Sequence, residues 1–161
     1  GNKLTEWADS TKVDDEFDQF ARSAFNRYYY AAFLTVRVSL QKMDPRWARQ
    51  SHKGMPELIE KAVAKKIRNR IKTNKKAALI DSKQEGTLRD QLNTATGEIT
   101  KLLRLGYDTR VTADYEPDTK IEQRGTSFAL NSSSIGSAQK WESRAALHSK
   151  KILKIWIELG L

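Results

Sequence analysis

Nine lysines and arginines crowd residues 53–76: Lys53, Lys61, Lys65, Lys66, Arg68, Arg70, Lys72, Lys75 and Lys76. Only Glu57 and Glu60 oppose them, so this stretch carries most of the chain's net charge of +9. Such a cluster attracts polyanions, nucleic acid first among them. Lys61, Lys65, Lys66, Arg68, Arg70 and Lys72 are the candidate phosphate contacts. The alternative is a solvated face that serves solubility. Three smaller sets also suit phosphate or proton chemistry. Arg110 is followed by Asp114 and Tyr115. Arg46 precedes His52 with five residues between. Arg144 and His148 lie four apart and share a helical face. The plain reading of His148 is a core histidine, and that of His52 is a loop residue before a helix start.

The sequence narrows the chemistry by what it lacks. It has no cysteine, hence no disulfide, thiolate metal site or cysteine nucleophile. With two histidines and no cysteine, the expectation is no metal. There is no Gly-rich phosphate loop and no nucleophile elbow, and no cofactor is expected. No apolar run reaches the roughly 18 residues of a membrane helix, and no secretory signal is visible. A cytoplasmic setting is expected, without membrane contact. The first residues, Gly1-Asn2, fit a trimmed start.

These residues must be held by helices. Over about 13–42, Phe17, Ala21, Ala24, Tyr28, Ala31, Thr35 and Val38 alternate four and three apart and define one face. Phe20, Phe25, Ala32, Phe33 and Val36 widen it. Asp14 and Asp15 suit the positive N-terminal end, and Asp44-Pro45 ends the helix. Over 55–73, Pro56 fits the first turn, and Ile59, Val63, Ile67 and Ile71 form a stripe beside Ala62. Over 84–106, Leu88, Leu92, Ala95, Ile99 and Leu102 form a seam, interrupted by Gly97 and stopped by Gly106. Over 137–159, Ala138, Trp141, Ala145, His148, Ile152, Ile155 and Leu159 form another. Residues 74–83 read as a polar link and 107–136 as a long surface connection. No convincing strand period occurs. The expectation is one domain over 1–161, all-α, an antiparallel up-and-down bundle of four to five helices.

Three strings carry a resemblance. RYYYAAF at 27–33 resembles the Tyr-Tyr helix signature of HEPN domains (higher eukaryote and prokaryote nucleotide-binding). His52-Lys53-Gly54 before an apolar helix resembles one branch of that family. RVTADYEP at 110–117 resembles the Arg-x-x-Ala-Asp-Tyr string before that branch's last helix. The resemblance implies a helical bundle that forms a homodimer and binds RNA or nucleotide. It also implies a setting in prokaryotic toxin–antitoxin or anti-phage defence, with a cognate nucleotidyltransferase or defence protein as partner. Two features depart from the family. Only residues 1–12 precede the Tyr-Tyr helix, so the family's first helix is missing, trimmed or fused. The basic helix and its link are longer than usual.

Ribonuclease members of that family are similar in an Arg, four to six residues, then His. There the Arg holds the phosphate and the His moves a proton, without metal. This chain has Asp114 and Tyr115 after Arg110, and a carboxylate beside an Arg is a poor proton donor near neutral pH. The i,i+4 spacing also predicts a local Arg110–Asp114 ion pair. Arg46 and His52 fit the formal spacing but follow the wrong helix. Three readings remain. The first is an RNA-, nucleotide- or partner-binding module without strong catalysis. The second is a metal-independent endoribonuclease. The third is a helical adaptor with incidental charge. Tyr28, Tyr29 and Tyr30 cannot all face inward on a helix, so either core packing or an exposed stacking surface is expected of them.

Overall fold

The computed structural model describes residues 1–10, 14–125 and 127–161. The order is α1 (Asn2–Ser10), α2 (Asp14–Met43), a 3-10 turn (Pro45–Arg49) and α3 (Gly54–Glu57). A π-helical segment (Leu58–Val63), α4 (Ala64–Lys76) and α5 (Ser82–Tyr115) follow. Three short strands, β1 (Glu122–Arg124), β2 (Ser127–Leu130) and β3 (Ser133–Ser134), lead to α6 (Ile135–Ala138) and α7 (Trp141–Glu158). The fold is the all-α bundle that the periodicity predicts. Val13, the expected start of the first long helix, and the Asp14 side chain lie outside the described residues.

Among the long helices, the antiparallel contacts all involve α5. Asn26 of α2 meets Asp114, Tyr29 meets Gly106, and Leu40 shares a crevice with Ile99. Glu60 pairs with Arg104 and Arg68 with Asn93. Trp141 packs on Gly106, and Arg144 pairs with Glu98. The 44–53 connection runs back along α2, because His52 stacks on Phe33 near the middle of that helix. Thus α2, α4 and α7 point one way and α5 the other.

The stripe on α2 turns partway along the helix. Phe17, Ala21, Ala24 and Tyr28 are buried as expected, but the core then takes Tyr29, Ala32, Phe33, Val36, Leu40 and Met43. Val38 is 50% exposed. A strict seven-residue repeat drifts by about 20° per heptad on a straight helix, which carries Val38 off the face. The α4 stripe of Ile59, Val63, Ile67 and Ile71 is fully buried. Ala62 faces out, and Ala64 takes the interior place instead.

Gly106 does not stop the third helix. It is buried in the interior of α5, which runs on to Tyr115. A Cβ there would lie 2.8 Å from the Tyr29 ring and 3.6 Å from Trp141, so glycine serves close packing. The helix starts at a capping box, in which Asp81 accepts from the Gln84 N–H and the Gln84 side chain accepts from the Asp81 N–H. Its far end is held by Arg22, whose guanidinium donates to the carbonyls of Thr112, Ala113, Glu116, Pro117 and Thr119. A cation on the last carbonyls complements the negative end of the helix dipole.

The 107–136 segment is therefore not a surface connection. Residues 107–115 belong to α5, and an antiparallel sheet in the order β1-β2-β3 follows. Phe128, Ala129, Leu130, Ser133 and Ile135 are buried. The Phe128 ring meets Phe17 and Phe25 edge-on. Thr109 and Ser133 share a 2.8 Å hydrogen bond, and the Asn131 amide donates to the Thr112 hydroxyl. The strands are too short to display an alternating period. The residues ahead of α2 form α1, a separate short helix whose Thr5 hydroxyl meets the Tyr28 phenol at 3.0 Å. The last long helix begins at Trp141, with α6 as a separate turn before it.

Candidate nucleic-acid interface

The basic residues of 53–76 divide into two groups. Lys61, Lys65, Arg68 and Lys72 follow one another at helical spacing, and all four are exposed. Among the described residues, Lys65 and Lys72 make no hydrogen bond or ion pair, Lys61 pairs with Glu57, and Arg68 donates to the Asn93 side chain. Glu60 is engaged by Arg104. Both acidic residues of the segment are thus already paired with cations, and the ridge keeps a large positive surplus.

Lys66 and Arg70 leave this ridge. The Lys66 ammonium lies 4.6 Å from the Trp156 ring centre and 5.7 Å from that of Trp47, and Trp47 and Trp156 meet edge-on. Arg70 donates to the Gly160 carbonyl at 3.1 Å. Both reach the α7 end of the bundle rather than the ridge, Lys66 with its side chain still exposed and Arg70 half-buried.

A second basic site lies between α2 and α5. Asn26, Arg27 and Tyr30 of α2 and Arg110 and Asp114 of α5 line a cleft of about 440 Å³. The expected local ion pair is present, with Arg110 Nη2 2.7 Å from Asp114 Oδ2. The guanidinium also lies 5.3 Å from the Tyr115 ring centre and 5.9 Å from that of Tyr30. Burial disfavours its charge, but the Tyr115 hydrogen bond and Asp114 outweigh burial and raise its pKa. Arg110 Nε and Asn26 Oδ1 are buried without a hydrogen-bond partner, while the Asn26 amide nitrogen donates to Asp114.

His52 sits beside this cluster. Its ring stacks on Phe33 at 3.9 Å and meets Tyr30 edge-on at 5.2 Å. Its Nδ1 is 2.9 Å from the Tyr29 hydroxyl. Burial, then Arg110 and Arg37, lowers the His52 pKa, so the ring is neutral near pH 7. Burial raises the Tyr29 phenol. A neutral imidazole that accepts the phenol proton at Nδ1 carries its own proton on Nε2. Tyr28 and Tyr29 are buried and Tyr30 is half-buried, so Tyr30 alone of the three meets both Arg110 and His52.

Arg46 and His52, the pair with formal Arg-five-His spacing, are not joined. Arg46 donates from Nε and Nη2 to the Asp44 carboxylate, at 3.0 and 2.7 Å, on an exposed turn. Arg110 and His52 instead flank Tyr30, 5.9 and 5.2 Å from its ring centre, through the packing of α5 on α2. No local signal carries that arrangement. Arg144 is likewise taken, by Glu98 at 2.8 Å. His148 is half-buried next to that pair, with its pKa lowered by burial and by Lys151. Compared with known proteins, the chain matches no family model, no curated protein and no solved structure at a significance that carries an assignment. Among the described residues, no helix is long and apolar enough to cross a membrane.

Proposed function

We propose that the protein is an RNA-binding helical module whose phosphate contacts come from the outward ridge of α4. The observation that carries this reading is the surplus charge of Lys65, Arg68 and Lys72, set beside carboxylates that other cations already occupy. Cations without acidic partners gain most from binding a polyanion, because the released counterions drive association. The HEPN likeness of RYYYAAF and RVTADYEP belongs to the same proposal, with its homodimer and its nucleotidyltransferase or defence partner. An incidental-charge adaptor would show no salt-dependent RNA binding. Titration of single-stranded RNA into the protein at rising salt tests the proposal, and replacing Lys65 and Lys72 by Glu should abolish the complex.

The apposition of Arg110 and His52 around Tyr30 favours a second reading, metal-independent RNA cleavage. A neutral histidine is the right form to take a proton from a ribose hydroxyl. Against strong catalysis, Arg110 is held by Asp114 and Tyr115, and His52 Nδ1 is held by Tyr29. Cleavage in the presence of a chelator that His52→Ala or Arg110→Ala abolishes would establish an enzyme. Absence of cleavage by the wild-type protein would leave the binding module.

A further inference from the structure

The ridge does not end in plain surface. Lys61, its first member, also lines a cleft of about 490 Å³ between α3, the π-helical segment and α5. The floor of this cleft is apolar: Pro56 and Leu103 are buried, and Tyr107 is half-buried with its ring 6.3 Å from that of Tyr29. Lys53, exposed and without an ion pair among the described residues, stands at the rim with Lys61. Glu57 and Glu60 line the cleft too, but their carboxylates are bound by Lys61 and Arg104. Asp108 is the lining carboxylate with no hydrogen bond or ion pair among the described residues.

We infer that this cleft takes one unstacked nucleobase of the strand that follows the ridge, a base with adjacent N–H donors on its pairing edge. The inference rests on the RNA-binding reading above and adds to it a preference for single strands. An aromatic face beside cations is the usual receptor for an unstacked base, because the π-face packs on the ring while the cations hold the flanking phosphates. Proline and leucine supply apolar contact to the other atoms of the base. An ionised carboxylate only accepts hydrogen bonds. Asp108 therefore matches the adjacent N1–H and N2–H2 donors of guanine, whereas uracil offers a single N3–H between two carbonyl acceptors. A duplex hides these edges and keeps its bases stacked, so it meets only the ridge.

The test uses the full chain with fluorescein-labelled oligo(G)-containing, oligo(U) and duplex RNA at fixed low salt. Tyr107→Leu keeps an apolar floor but removes the π-face, and Asp108→Asn changes the edge without changing volume. Unchanged thermal melts establish that each variant is folded. The expected result is a preference of wild type for the G-containing strand over oligo(U). Tyr107→Leu should weaken single-strand binding about 5- to 100-fold, the range of one base–aromatic stack, with duplex binding unchanged. Asp108→Asn should narrow the gap between the G-containing strand and oligo(U). Equal loss on single strand and duplex, no loss with Tyr107→Leu, or an unaltered base preference in Asp108→Asn overturns the base pocket. RNA binding that persists through those outcomes leaves the ridge reading intact. Absence of RNA binding by wild type overturns both.

Discussion

Gly106 and Arg22 show how single side chains set the geometry around Arg110. A methyl group at 106 meets Tyr29, whose hydroxyl holds His52. Gly106→Ala should cost about 1–3 kcal/mol, the usual range for overpacking a core, despite the better helix propensity of alanine. Urea unfolding measures it, and a stabilised variant would contradict the packing role. Arg22 is 11% exposed at its side chain and serves five carbonyls at the end of α5. Arg22→Ala should cost about 1.5–3 kcal/mol, as expected for lost hydrogen bonds from a charged donor, and should loosen RVTADYEP. His52 and His148 both titrate below the ordinary histidine range because burial disfavours their charge. The unfolded chain then binds more protons than the folded one as pH drops through the ordinary histidine pKa. Stability should therefore fall from pH 7 toward pH 5, and a His52→Gln, His148→Gln double variant should show a flatter melting-temperature profile. Little of this was legible beforehand. The Arg110–Asp114 pair is local and followed from i,i+4 spacing, whereas His52 and Arg110 come to flank Tyr30 only through tertiary packing.

The helices were legible where the apolar period was long, and misread where a local signal competed with packing. The stripe of α4 and the seams of α5 and α7 stand as read, except that Ala62 faces out and Leu88 and His148 are half-buried. Gly106 looked like a cap because glycine commonly ends helices, yet close approach to Tyr29 and Trp141 explains it better. The polar RVTADY string looked like a connection because its helical state depends on Arg22, far away in sequence. The strands of three, four and two residues were too short to show alternation. The end of α4 offers a cleaner test of local rules. Ala78 adopts φ +56, a left-handed conformation that glycine favours, as the chain leaves α4. The Leu79 N–H bonds back to the Asn74 carbonyl and the Ala78 N–H to that of Lys75, the two bonds of a Schellman motif. Ala78→Gly should stabilise the protein by about 0.5–1 kcal/mol, the left-handed strain relieved less the added entropy of the unfolded chain. Chemical denaturation checks it, and a destabilised variant would show that Ala78 is not strained.

The bundle sorts its charge as a whole. Its cations are held in three ways: against carboxylates, as with Arg104 and Arg144; against rings, as with Lys66; and on helix-end carbonyls, as with Arg22 and Arg70. On the α4 ridge, Lys65 and Lys72 escape all three among the described residues, and the ridge was named from sequence together with Lys66 and Arg70, which lie toward α7 instead. Composition shows where charge accumulates along the chain; only packing shows which members remain for a ligand. The most direct measurement is the salt dependence of single-stranded RNA binding by wild type and by a Lys65→Glu, Arg68→Glu, Lys72→Glu variant with an unchanged melting temperature. Wild type should form a complex at about 50 mM salt whose log affinity falls with log salt at a slope of roughly −2, about 0.7 for each of three phosphates. The triple variant should lose both the complex and the slope. Wild type that binds no RNA at that salt, or a triple variant that binds as wild type does, would contradict the ridge as the RNA contact.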